Sequence, residues 1–124
     1  RHSSSAASDV YKRQAYNYAA SLVALQRSVE AKSLFLKVLP VARRVLGESH
    51  DLTLKMRWVC AIALYEDSDS TESPLDDIRE AVTTVEDVGR IAQRVLGGAH
   101  PLVLDTQRSL EVMRATLAAR EAKG

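Results

Sequence analysis

The side chains in this 124-residue chain with most chemistry to offer are two of its three histidines, its one cysteine, a run of acidic and hydroxyl residues, and a scatter of arginines. His50 and His100 each close the same segment, Arg-Val-Leu-Gly-x-x-His. A zinc site needs three or four converging His, Cys or carboxylate ligands. No cysteine and no second histidine lies near either one in sequence, and their recurrence follows from the repetition of the segment itself. Cys60 is the single cysteine. Alone it makes neither an internal disulfide nor a Cys-based zinc site, and inside a helix a buried, inert thiol is the expected state. Asp67-x-Asp69-x-Thr71 resembles the start of a calcium loop. Its sixth position is Glu72 instead of Gly and its twelfth is Ile78 instead of Glu, so the ligand set fails. Ser68, Ser70 and Thr71 are candidates for phosphorylation, with a solvated loop as the default. There is no phosphate-cradling glycine loop, zinc-protease helix motif or nucleophile elbow. The reading is therefore not an enzyme: no catalytic, cofactor-binding or metal-binding residue is assigned, and no small-molecule substrate.

Binding chemistry is more plausible. Arg43, Arg44, Arg90, Arg94 and Arg108 suggest a basic stripe for RNA. Acidic residues intersperse them and no aromatic platform accompanies them, so nucleic acid is the weakest reading. With 17 basic and 16 acidic residues the net charge is +1, which gives no global field for nucleic acid or an anionic membrane. No apolar run approaches the ~20 residues that span a bilayer, and the polar first residues show no signal-peptide core. A reducing, cytoplasmic setting is expected from the cysteine usage. Trp58, Ile62 and Tyr65 stand at i, i+4 and i+7 and share one helix face. Aromatic side chains there serve equally as anchors for a partner or as packing between helices.

The elements that position these residues are helical. Ala, Val, Leu, Glu and Arg dominate, aromatics are 5%, and 3 Pro and 5 Gly are too few for an all-β chain. Residues 1–14 are Ser-rich, resemble a translated sequencing adapter, and are set aside as a non-native or disordered leader. Ala42–Leu54, ARRVLGESHDLTL, repeats as Ala92–Leu104, AQRVLGGAHPLVL, with eight of 13 positions identical at an offset of 50. Glu30-Ala31 falls on Glu80-Ala81 at the same offset. Further up, Ala19-x-x-Leu22 matches Ala61-x-x-Leu64 at an offset of 42. The unit is thus about 42 residues, and its second copy carries an eight-residue insertion around Asp67–Pro74.

Each unit reads as a helical hairpin. Helices are expected at about 15–27, 29–46, 52–66, 74–96 and 101–122. In the second of these the apolar stripe is Ala31, Leu34, Phe35, Val38, Ala42, Val45 and Leu46. Gly47 and Gly97 are the expected stops. Ser73 is the expected N-cap before Pro74, with Asp76 completing a capping box. Pro40, and Gly89 near the equivalent place, predict a bend in both copies.

The pattern Asn17-x-Ala19-x-x-Leu22, Glu30-Ala31, then Arg43-Arg44-Val45-Leu46-Gly47-x-x-His50, resembles the tetratricopeptide repeats of kinesin light chains and related proteins. Ala61, Leu64, Glu80, Ala81, Arg94, Val95, Leu96, Gly97, His100 and Pro101 carry it in the second copy. It covers about residues 15 to 104 and is specific for the repeat class, not for kinesin light chain itself. It departs from the family at Gln26-Arg27, at Asp51 after His50, and at Glu111, which fills the small-residue slot of Ala19 and Ala61.

The resemblance implies an all-α fold of antiparallel helical hairpins stacked as a right-handed α-solenoid, about 2.5 repeats in five helices. Its repeats would be 15–47 and 51–97, with an inserted loop 67–73 and a capping helix 101–122. It also implies a concave face that takes a peptide or helix of a protein partner. Carried over position by position, that face holds Tyr16, Asn17, Lys55, Trp58, Ile62, Tyr65, Arg108 and Val112. The family's peptide-contacting Asn is kept at Asn17 but replaced by Val59 and Ser109. Two functions follow as expectations: a protein-binding scaffold, or a structural terminus of a longer array whose binding lies elsewhere. Fewer than three units implies a marginally stable monomer.

Overall fold

A computed structural model describes residues 28 to 123. The expected helix at 15–27, the leader 1–14, and with them Tyr16 and Asn17, lie outside the described residues. Within them the fold is all-helical: α1 (Ser28–Leu46), α2 (Asp51–Glu66), a 3₁₀ turn (Ser68–Ser70), α3 (Pro74–Leu96) and α4 (Pro101–Lys123). No helix among the described residues is long and apolar enough to cross a membrane.

The helix limits have local causes. Gly47 and Gly97 adopt φ of +96° and +94°, a region that side-chain-bearing residues avoid. Their N–H groups donate to the carbonyls of Arg43 and Gln93, closing the preceding helices at 3.1 Å. Each following helix is then capped by a histidine. His50 Nδ1 accepts from the Leu52 N–H at 3.1 Å, and His100 Nδ1 accepts from the Leu102 N–H at 3.0 Å. The ring nitrogen does the work usually given to a Ser or Asp oxygen, satisfying one of the orphan donors of the first turn. Ser73 holds the N-cap position of α3 with Pro74 after it, but its side chain makes no cap bond. The expected capping box is therefore not formed, and Asp76 pairs instead with Arg79.

Chain direction is legible in the side-chain pairs. Between α3 and α4, Arg79 meets Glu121 and Glu86 meets Arg114. Seven residues forward on one helix match seven back on the other, so the two are antiparallel. Between α2 and α4, Trp58 meets Ser109 and Tyr65 meets Thr116. Here seven residues forward match seven forward, so these helices run parallel. Consecutive helices pack on one another, and α2 also touches α4.

The core is continuous around α2. Val38 and Ala42 of α1 pack on Leu52, Met56 and Val59. On its other side Ala61 and Leu64 meet Ile78, Ala81, Val82 and Val85, with Met113 from α4. Leu54 meets Val88, Ala92, Leu102 and Val103. Trp58 touches all three groups and wedges them together. On α1 Val38 and Ala42 are buried, with Leu39 and Leu46 packed beside them; the side chains of Ala31, Leu34 and Phe35, also expected on that stripe, lie outside the described ones. Val45, expected on that stripe, is 43% exposed, as its repeat partner Val95 is at 46%. Each is one residue, about 100°, off the packed line.

Pro40 and Gly89 both lie inside helices that continue past them. Gly89 has a packing reason, since a Cβ there would come within 3.0 Å of Thr106 Oγ1 on α4. The inserted segment is folded, not simply solvated. Ser68 is buried and its hydroxyl donates to the Tyr65 carbonyl at 2.7 Å. Thr71 donates back to the Ser68 carbonyl, and Asp69 pairs with Arg120 of α4 at 2.6 Å. Of the three hydroxyl residues considered for phosphorylation, Ser68 is thus enclosed and hydrogen-bonded, and Ser70 is exposed.

Candidate functional site

The parallel pair α2 and α4 forms the site. Two hydrogen bonds fix their spacing. Trp58 Nε1 donates to Ser109 Oγ at 3.0 Å, and the Tyr65 and Thr116 hydroxyls bond at 2.7 Å. Between these ties lies an open cavity of about 280 Å³, lined by Ile62, Tyr65, Glu66, Arg108, Ser109, Val112 and Met113. Its exposed surface is mostly apolar, from Ile62, Tyr65, Val112 and Met113. Val112, on its rim, is 57% exposed, among the most exposed large apolar side chains described.

Four of the residues expected on the concave face, Ile62, Tyr65, Arg108 and Val112, are brought together here. Trp58 does not line the cavity. It is half-buried in the core and spends its N–H on Ser109, so it acts as packing between helices. Tyr65 does both jobs, with its ring on the wall and its hydroxyl tied to Thr116. Lys55 stands one turn after Asp51, 4.0 Å from its carboxylate, away from the cavity. Val59, in the slot of the family's Asn, is buried against α1.

Glu66, Ser109 and Met113 complete the lining and were not anticipated. Glu66 is i+4 from Ile62 and shares its face, a signal the sequence did contain. Ser109 and Met113 become neighbours of Ile62 only once the register of α4 is known.

The electrostatics of the groove are uneven. Arg108 Nη2 lies 2.6 Å from Asp105 Oδ1, and Arg120 is held by Asp69. Hydrogen bonding to Arg120 keeps the Asp69 carboxyl below the usual range. Glu66 has no such partner among the described residues. Partial desolvation against the groove pushes its carboxyl above the usual value, with no cation among the described residues to oppose the shift.

Two other depressions are built differently. One of about 340 Å³ between α3 and α4 is lined by charged and polar groups whose charges are mutually satisfied, Glu86 with Arg114 and Arg90 with Asp87. The other, about 200 Å³, lies over α2 between α1 and α3 and includes Arg57, Cys60 and the exposed Leu36. Arg57 is buried, its Nη2 is 2.8 Å from Asp87 Oδ2, and its Nε is enclosed without a hydrogen-bond partner. Among the arginines of the supposed stripe, Arg43 pairs with Glu48, Arg90 with Asp87 and Arg108 with Asp105. His50 and His100 use their Nδ1 atoms as caps at the starts of the parallel helices α2 and α4, and no group of three or more potential metal ligands occurs among the described residues. Against known protein families, characterised proteins and solved structures, the chain matches none.

Proposed function

We propose that this chain is a cytoplasmic helical-repeat scaffold of the tetratricopeptide type, and that the groove between α2 and α4 binds a peptide or helix of a protein partner. The observation that carries the reading is the apolar cavity at Ile62, Tyr65, Val112 and Met113, opening beside an exposed Val112. Its volume of about 280 Å³ falls at or below the ~300–1,000 Å³ of small-molecule clefts, which also enclose their ligands. A shallow apolar notch between parallel helices suits a side chain projecting from another polypeptide. The repeat type is supported by the twice-used Gly-x-x-His connector and by the parallel first helices of successive hairpins. RNA binding has less support, because three arginines of the stripe are already paired with carboxylates.

Selection of a random dodecapeptide library on the immobilised protein tests the proposal. Peptides enriched on the native chain should lose at least about tenfold in affinity on Val112→Arg, an exposed change that leaves the core intact. Enrichment that survives Val112→Arg and Ile62→Asp in folded protein rejects the groove.

A further inference from the structure

The charge distribution around the groove says what kind of segment it takes. Arg108 faces the cavity but is committed to Asp105. Arg120, near Tyr65, is committed to Asp69. Glu66 is the one ionisable group on the cavity wall with no opposite charge or hydrogen-bond donor among the described residues. It follows Tyr65 directly and stands one turn beyond Ile62, so its carboxylate borders the aliphatic surface. In the free protein that carboxylate stays largely open to solvent, with no cation beside it among the described residues. The arrangement becomes favourable once a cation is delivered with apolar surface attached, because covering the wall strengthens the pair by excluding water.

We propose that the α2–α4 groove recognises a segment of another protein that presents a bulky aliphatic side chain next to a lysine or arginine, the aliphatic group entering between Ile62, Val112 and Met113 and the cation pairing with Glu66. An acidic segment is disfavoured, since it meets Glu66 with like charge, while the charge of Arg108 is already partly balanced by Asp105. The long stem of Lys or Arg also lies well along apolar surface while its head reaches a carboxylate at the rim. The proposal rests on the groove reading above and adds to it the chemistry of the occupant.

The peptides recovered from the dodecapeptide selection decide it. On the native chain they should carry Lys or Arg within a few positions of Leu, Ile or Met. A synthetic peptide of that sequence should bind, by fluorescence anisotropy, about tenfold more weakly when its basic residue is replaced by norleucine, which keeps the apolar stem. Glu66→Gln should reproduce that loss for the basic peptide and leave the norleucine peptide unchanged. Glu66→Lys should shift the selection to acidic peptides. Glu66 is exposed, so circular dichroism should show both variants folded. Peptides that need Val112 but show no basic preference, or an unchanged affinity on Glu66→Gln, overturn this inference and leave the groove standing. No enrichment at all overturns both.

Discussion

His50 and His100 each give a ring nitrogen to the first turn of a helix. His50→Ala and His100→Ala should each lower the unfolding free energy by about 1 kcal/mol, and His100→Asn should retain most of it. Urea denaturation measures this, and an unchanged midpoint for either Ala variant would contradict the capping role. Arg57 and Asp87 form the most enclosed ion pair described, with side chains 11% and 34% exposed. The hydrogen bond from Arg57 holds the Asp87 carboxyl below the usual range, against the opposing effect of burial. A carboxylate with a depressed folded-state pKa contributes stability above its unfolded value of ~3.9, and that contribution is lost as pH falls through the folded value. The native chain should therefore weaken below about pH 4. Asp87→Asn should be about 2 kcal/mol less stable at pH 7, less than a fully buried pair would lose because Asp87 is partly solvated, and should show a shallower acid limb. Denaturant midpoints at pH 7 and pH 3 supply the comparison.

At the scale of the element, helix–helix approach is set at one small residue. Gly89 in α3 faces Thr106 in α4, which is 1% exposed and whose Oγ1 is fixed at 2.7 Å to the Val103 carbonyl. Gly→Ala inside a helix ordinarily gains about 1 kcal/mol. Here the new Cβ meets an atom that cannot retreat, so Gly89→Ala should bring no gain in the native background. In Thr106→Ala the gain of about 1 kcal/mol should return, and equal effects in both backgrounds would refute the contact. Helix extents were legible in the chain because their signals are local. Gly47 and Gly97 permit a positive φ, Pro74 and Pro101 suit a first turn, and the expected ranges agree with α1 to α4 within a residue. The site was half legible. Ile62 and Tyr65 follow from periodicity on one helix, and Arg108 and Val112 from the repeat. The ties from Trp58 to Ser109 and from Tyr65 to Thr116 join residues 51 apart. Periodicity within one helix cannot supply the register between two. The fold of the insertion was partly hidden: the Ser68 and Thr71 hydrogen bonds are local, but the pairing of Asp69 with Arg120 joins it to the far end of α4.

For the whole molecule, order should be graded along the array. Among the described helices each packs chiefly on its chain neighbours, and α2 alone of them meets the other three. Local contacts of this kind make stability a sum of neighbouring interfaces. Amide exchange should be slowest in the middle of α2, around Met56–Ala63, and fastest in the exposed last turn of α4. Uniform protection across all four helices would instead indicate a single all-or-none unit. The connectors carry one more implication, for how such a chain grows. Gly47–His50 and Gly97–His100 are the same joint, with matching φ at the glycine and matching histidine caps. Everything between them, Asp51 to His100, is therefore a cassette whose two ends are interchangeable. A tandem duplication of that stretch leaves every helix stop and start intact and adds a hairpin with its own wedge of tryptophan. Lengthening by copying requires no new joint to be invented, and the spacing of the grooves along the product is fixed in advance by the parent.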